Sequence, residues 1–246
     1  MKTVILCGGR GTRLDELGKV VPKALVEIGG GPIISHLIQL FASFGFSDFS
    51  LCLGHLGDKI KDYFGARGEG NIRVTFQTET NESWDVSLYE TGEDTNTGGR
   101  IARIANLLAD DQRFFVTYGD GLADVNIGSL LEFHKGHGKL ATMTTVHPRS
   151  PFGIVDLNDD GTVNSFREKP RLDVWINGGF FVFERQVLDL LDGDPVLEEG
   201  PLETLAKINE LMAYRHTGFW KCMDTYKDSL EFNALWETGP PWKTQD

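Results

Sequence analysis

The chain has 246 residues, 40% of them apolar and 24% charged, enough to bury a sizeable core and near the upper size for one compact domain. Its formal net charge of −12 repels a polyphosphate backbone and excludes a broad nucleic-acid-binding surface, while a local basic pocket for small anions remains compatible with it. Cys7, Cys52 and Cys222 are too far apart for a disulfide framework or a zinc ribbon, and no stretch approaches the roughly 20 apolar residues that span a bilayer, so a cytoplasmic protein without a membrane partner is expected.

Thr3 to Cys7 is an unbroken apolar run ending at Gly8, too short for a signal core and read as a strand buried on both faces of a parallel sheet. A glycine-rich loop follows it. From Pro32 to Phe44, apolar residues recur at three-to-four spacing after a proline suited to a first helical turn, which predicts an amphipathic helix stopped by Gly45. Phe49 to Leu53 reads as a second strand, closing a right-handed strand, helix, strand unit. Gly99 to Leu108 then reads as helix, Phe114 to Tyr118 as a buried strand and Ile127 to Phe133 as helix again.

After residue 140 strands come at close spacing: Thr142 to Val146, Gly153 to Leu157, Thr162 to Phe166 and Phe180 to Phe183, with Asp159-Asp160-Gly161 as a hairpin turn. Helical patterns return at Gln186 to Leu191, Leu202 to Leu211 and Ser229 to Trp236. With no linker and no internal repeat, residues 1–246 are expected to form a single α/β domain around a mixed, mainly parallel sheet covered by helices.

The string Gly8-Gly9-Arg10-Gly11-Thr12-Arg13-Leu14 is a cationic spot in an acidic chain. Its glycines let backbone N–H groups approach an anion, and two arginines, the threonine hydroxyl and Lys23 add charge and donors, as a triphosphate requires. A Rossmann fingerprint would need glycine where Leu14 stands, and a P-loop would need Gly-Lys-Ser/Thr, so neither fits. A tight strand-to-helix turn accounts for the glycines but not for the cations.

Asp120 follows the strand Phe114 to Tyr118, at the end where an open α/β sheet builds its site, and its carboxylate is a natural Mg²⁺ ligand. Magnesium favours one or two carboxylates with waters and phosphate oxygens, which makes Asp224 a candidate partner, although either aspartate alone reads equally as a turn or cap residue. Glu168-Lys169-Pro170 and Asn177-Gly178-Gly179 offer a point charge, hydrogen-bonding groups and room for a sugar phosphate. Read alone, Lys169 is an exposed lysine and Asn177-Gly178 a hairpin turn. His134 and His137 share a helix face, but Lys135 and Gly136 between them point to a solvated helix end rather than a metal site. Cys7 reads as an inert buried thiol, and Trp236 and Trp242 as anchors of the tail or of an interface.

Gly8 to Leu14, Pro22-Lys23, Val26 to Gly30, Thr97-Gly98-Gly99-Arg100, Tyr118 to Gly121, Phe166 to Pro170, Ile176 to Phe181 and Gly218 to Thr225 together resemble the sugar-1-phosphate nucleotidyltransferase family over essentially the whole chain. The resemblance implies a three-layer α/β/α Rossmann-like fold, with nucleotide bound by the N-terminal half and sugar phosphate by the C-terminal half. It implies catalytic roles for Arg13 and Lys23. Nucleotide contacts are implied for Leu6, Gly8, Gly9, Gly11, Thr12, Arg13, Lys23, Thr91, Gly92, Gly98, Arg100, Gly119 and Asp120. Substrate contacts are implied for Glu168, Lys169, Asn177 and Gly178, with Mg²⁺ on Asp120 and Asp224. The implied reaction joins a nucleoside monophosphate to a sugar 1-phosphate with release of pyrophosphate.

In the family, the segment holding Thr91-Gly92 and Thr97 to Arg100 faces the nucleobase, and the thymidylyl and uridylyl branches carry a glutamine-and-proline-containing stretch there. This chain resembles the cytidylyl branch, which implies CTP and glucose 1-phosphate as substrates and a homo-oligomeric enzyme. Backbone carbonyls can accept from the cytosine amino group and Arg100 can donate to its O2 or to a phosphate; Thr97-Gly98-Gly99 alone is equally the start of a helix. Ala24 replaces the branch's usual second proline, and Gly65 to Trp84 is shorter than in the branch, a difference that bears on subunit packing or a closing loop. A uridylyl- or thymidylyltransferase and a catalytically silent nucleotide-sugar binder are the rival readings on the same fold.

Overall fold

The computed structural model describes residues 1–11, 20–77 and 83–243, so Thr12 and Arg13 of the glycine-rich string lie outside the described residues. The opening apolar run forms strand β1, Thr3–Leu6, buried at every position as a strand covered on both faces must be. After a 3-10 turn at Lys23–Leu25 and the short pair β2 (Glu27–Ile28) and β3 (Gly31–Pro32), helix α1 runs Ile33–Ala42. Pro32, at φ −69, sits as its N-cap rather than in its first turn. Strand β4, Asp48–Leu53, pairs parallel with β1 in the register Thr3↔Phe49, completing the anticipated strand, helix, strand unit.

Helix α2 (Gly57–Tyr63) and strands β5 (Ile72–Gln77) and β6 (Ser83–Glu90) follow. The helical stretch expected over 99–108 is two helices, α3 (Thr97–Arg103) and α4 (Ala105–Leu108). Next come β7 (Arg113–Tyr118), β8 (Gly121–Ala123), α5 (Ile127–His137), β9 (Ala141–Val146), β10 (Ile154–Leu157), β11 (Val163–Arg167) and β12 (Ile176–Glu184). A 3-10 turn at Arg185–Leu190, helix α6 (Pro201–Lys207), strands β13 (Leu211–Arg215) and β14 (Trp220–Cys222) and helix α7 (Tyr226–Thr238) complete the order.

Eight strands form one mixed sheet in the order β13-β9-β12-β7-β1-β4-β6-β5. Four of its seven pairings are parallel, among them the run β7-β1-β4-β6. Successive side chains of its strands go to opposite faces: Phe115, Phe180 and Val182 join Phe41, Leu130 and Phe232 in one core, while Phe114, Val116 and Phe181 join Ile101, Leu108 and Leu205 in the other. The result is helices on both faces of a central sheet, the three layers expected. Among the described residues no helix is long and apolar enough to cross a membrane.

Three local readings are corrected. The apolar spacing from Leu202 to Leu211 is only partly helical: α6 stops at Lys207, Asn209 takes a left-handed φ of 58, and Leu211 begins the edge strand β13. Asn177-Gly178 is no hairpin turn; it lies within β12, where the register against β9 shifts between Asn177 and Phe181. His134 is not at a solvated helix end but 1% exposed, its Nδ1 2.8 Å from Thr142 Oγ1 and its Nε2 3.1 Å from Glu184 Oε1. His137 Nε2 meets the same hydroxyl at 2.7 Å, and Arg113 Nε donates to Glu184 at 2.7 Å. At the C-terminus Trp242 is 2% exposed against His36, Phe219 and Phe232, and Trp236 closes over Gly29, so both tryptophans anchor the tail.

Candidate active site

Parallel strands β1, β4, β6 and β7 all deliver their carboxyl ends to one edge of the sheet, where an open α/β sheet builds its crevice. Leu6 ends β1 and is buried, Gly8 is buried behind it, Gly9 is exposed, and Gly11 takes φ +60. Gly119 follows β7, with its N–H donating to Leu6 O at 3.0 Å; a Cβ there would meet Cys7 Sγ at 3.1 Å, so glycine is what lets the two loops touch. Asp120 comes next and opens into the crevice.

Asp224 is brought to Asp120 by a two-stranded ribbon. Strand β14 pairs antiparallel with β8, Cys222 opposite Gly121, and Met223 N–H donates to Asp120 O at 2.7 Å. The capping box of α7, Thr225 with Asp228, holds the chain just beyond, and Asp228 also accepts from Asp224 N–H at 3.2 Å. Lys23 Nζ donates to Asp224 Oδ1 at 2.8 Å and to Asp120 Oδ2 at 3.3 Å, so three residues about 100 positions apart in sequence converge on one point.

Charge states follow from this contact. Burial pushes the Asp120 carboxyl above the usual carboxylate range; Lys23 pulls it back and Asp224 adds to the rise. Burial works against the Lys23 ammonium, but Asp120 and Asp224 outweigh it and its pKa ends above the ordinary lysine value. Cys7, fully buried beside this point, has its thiol pushed well up by burial, and Cys222 is raised to about 12 by burial and Asp224. Neither is an available thiolate.

Beside Asp120 the crevice continues between β7 and β12. Tyr118, Asp120, Asn177, Gly178, Gly179 and Trp220 line one recess. Asn177 Oδ1 accepts from Gly179 N–H at 2.8 Å and Trp220 Nε1 donates to Gly178 O at 2.7 Å, which fixes the bulged start of β12. Gly179 has φ +78, and a Cβ there would come within 2.6 Å of the Tyr118 ring. Glu168 and Lys169 lie on an exposed turn after β11, 3.8 Å from each other, and among the described residues neither hydrogen-bonds to Asn177 or Gly178. Sequence reasoning missed Glu198. Its carboxylate accepts from the Tyr118 hydroxyl and, at 2.8 Å, from Thr97 Oγ1, linking the start of α3 to the recess between β7 and β12. It stands in no regular element and no pattern around it marks it.

Thr91 and Gly92 follow β6 directly. Thr91 Oγ1 donates to Leu53 O at 2.6 Å, and Gly92 takes φ +88 under Arg103, whose guanidinium donates to Thr91 O. Gly98 and Gly99 open α3 and turn toward the 194–197 segment: a Cβ on Gly99 would lie 1.8 Å from Asp194 Oδ1 and one on Gly98 2.8 Å from Pro195 O. Arg100 is 4% exposed with its guanidinium turned inward. A cavity of about 490 Å³ opens between residues 53–58 and 90–93, large enough for a small ligand, yet none of Lys23, Asp120 and Asp224 lines it. The charged convergence of Lys23, Asp120 and Asp224 and this cavity are therefore separate features of the carboxyl edge. Among the described residues no group of three or more His, Cys, Asp or Glu side chains forms a metal cage.

Residues 2–238 match the family described as Nucleotidyl transferase. The glucose-1-phosphate cytidylyltransferases of Salmonella typhimurium and Salmonella typhi are each 46% identical to this chain over 256 aligned residues, covering 99% of both partners. Among solved structures, HddC from Yersinia pseudotuberculosis has the same fold with a TM-score of 0.70 at 22% identity, covering 96% of this chain and 99% of that one. A match running the length of the chain, on a sheet whose carboxyl edge gathers a glycine loop, a lysine and two aspartates, makes this chain a member of the nucleotidyl transferase family.

Proposed function

We propose that this chain transfers CMP from CTP to glucose 1-phosphate, giving CDP-glucose and pyrophosphate. The convergence of Lys23 on Asp120 and Asp224 at the carboxyl edge of the sheet carries the reaction class. The choice of substrates rests on the end-to-end identity of 46% with enzymes named for that pair.

Nucleotidyl transfer here needs no general base, because the attacking oxygen of a sugar 1-phosphate is already anionic. Catalysis reduces to holding two mutually repelling phosphates in line and neutralising charge as it spreads over the α-phosphate. Lys23 supports this: its ammonium is kept charged by the two aspartates it bridges. Asp120 and Asp224 fit a divalent cation, since their oxygens already converge on a cationic group, and two carboxylates completed by waters and phosphate oxygens suit Mg²⁺. When bound, magnesium supplies charge neutralisation and alignment for the phosphate oxygens.

In this reading Leu6, Gly8, Gly9, Gly11, Thr12, Arg13, Gly119, Thr91, Gly92 and Gly98 line the nucleotide, with Arg13 joining Lys23 on the phosphates. Asn177 and Gly178 take the sugar from the recess beside Asp120, and Glu168 and Lys169 reach it from their exposed turn. Three free cysteines support a cytoplasmic setting, and the exposed Phe152, Leu157, Val163 and Phe166 support self-association of the single domain. The test is pyrophosphate release from CTP, UTP, dTTP, ATP and GTP with Mg²⁺ and glucose 1-phosphate, beside a control without sugar. Sugar-dependent release from CTP is expected. Release from UTP or dTTP in its place keeps the reaction class and overturns the base.

A further inference from the structure

Arg100 stands where a base-reading donor is expected, yet its guanidinium is committed to the protein. Nη1 donates to Leu53 O, Thr91 Oγ1 and Gly92 O, each at 2.8 Å, and Nη2 to Gly8 O at 3.0 Å and Glu93 O at 3.2 Å. Four Nη hydrogens face five acceptors, and among the described residues no carboxylate pairs with the group. The acceptors belong to three segments at the carboxyl edge: the phosphate loop after β1, the last residue of β4, and the base-facing loop after β6.

Two glycines make the seat. A Cβ on Gly8 would fall 2.1 Å from Arg100 Cζ, and one on Gly54 would fall 2.6 Å from Arg100 Nη1. Gly8 is therefore demanded by the guanidinium behind the loop as well as by any anion in front of it. Each loop also has anchors of its own. Gly119 N–H and Cys7 N–H hold the β1 end through Leu6 O and Cys52 O at 3.0 Å, and Thr91 N–H holds the β6 end through Leu53 O at 3.1 Å. What those anchors leave open is the placement of residues 91–93 relative to Gly8.

We propose that Arg100 is a positioning residue, a planar fork that sets the spacing between the phosphate loop and the base-facing loop so that a nucleotide spanning both meets a preformed cleft. This rests on the nucleotide reading of the site. A preorganised cleft saves the ordering cost of binding only for a ligand that touches both loops. A lysine keeps the charge but not the fork.

The experiment measures the affinity of Arg100→Lys for CTP, and for cytidine and pyrophosphate separately as competitors of CTP. CTP binding is expected to weaken at least about tenfold, the scale of losing one charge-assisted hydrogen bond, while cytidine and pyrophosphate each change by less than about twofold. Gly54→Ala leaves Arg100 in the chain but puts a Cβ 2.6 Å from both its Nη1 and Gly8 O, so it disturbs the same junction, and CTP is expected to weaken more than pyrophosphate or cytidine; it decides the matter if Arg100→Lys does not fold. Unchanged CTP affinity, or a loss for cytidine or pyrophosphate that keeps step with the loss for CTP, overturns the proposal. If the parent protein ignores CTP and turns over another nucleotide, the base reading alone falls, and the three ligands become that triphosphate, its nucleoside and pyrophosphate.

Discussion

Replacing Lys23 by methionine keeps the stem and removes the charge that two aspartates share. Lys23 Nζ lies 2.8 Å from Asp224 Oδ1 and 3.3 Å from Asp120 Oδ2, with the lysine side chain 18% exposed. At an effective dielectric of about 20, each contact attracts by roughly 5 kcal/mol before desolvation. Lost hydration of the ammonium and repulsion between the carboxylates take back most of this, leaving a net cost of about 1–3 kcal/mol for a half-buried triad. For a domain of this size that lowers the Tm by about 3–10 °C. Adding Mg²⁺ is expected to raise the Tm of the variant more than that of the parent, because its carboxylates no longer share their charge with a lysine. Turnover is expected to fall by about two orders of magnitude or more, the scale of losing one preorganised electrostatic contact. Thermal melts with and without Mg²⁺, beside steady-state pyrophosphate release, read both effects. Near-parental turnover removes Lys23 from the chemistry, and a Tm that neither falls nor responds more strongly to Mg²⁺ refutes the shared-cation account.

Gly179→Ala places a Cβ 2.6 Å from the Tyr118 ring at a φ of +78, so the ring must shift away from Glu198 and Asn177. The KM for glucose 1-phosphate is expected to rise about tenfold with that for CTP unchanged, as substrate titrations would show; a rise in the CTP value alone contradicts the placement of the recess. Burial, ahead of nearby charges, holds His134 and His137 below the ordinary histidine value of 6.5, although Glu184 pulls His134 back toward it. Their folded forms bind fewer protons than the unfolded chain just below pH 6.5, so stability is full above that pH and declines as pH falls toward the folded-state values. The Tm is expected to drop as pH falls below about 6.5, and His134→Gln to flatten that slope; a slope unchanged in the variant assigns it to other groups.

The reading of the N-terminal half succeeded where burial on two faces writes itself into composition. Thr3 to Leu6 and Phe114 to Tyr118 read as buried runs because the central strands of the sheet have no solvent face, and Asp120 stands out as the acid that follows one of them. The same logic failed at the edges. Strand β5 alternates half-buried with exposed residues and has no apolar run, and β13 reads as helix because Leu211 continues the three-to-four spacing of α6, while the left-handed Asn209 that breaks it has no mandatory residue type. His134 looked solvated because its neighbours in sequence are polar; its neighbours in space, Thr142 and Glu184, come from β9 and β12.

The layered α/β class, the glycine loop, the two aspartates and the family are legible in the sequence, since each rests on local periodicity or on a string of particular side chains. Which groups meet is a property of the folded chain alone. Asp224 reaches Asp120 through the pairing of β14 with β8, Glu198 reaches Tyr118 from an irregular segment, and Arg100 turns inward to backbone carbonyls of residues 8, 53, 92 and 93. A carbonyl oxygen is present at every residue, so no pattern of side chains can announce which four of them will surround a guanidinium.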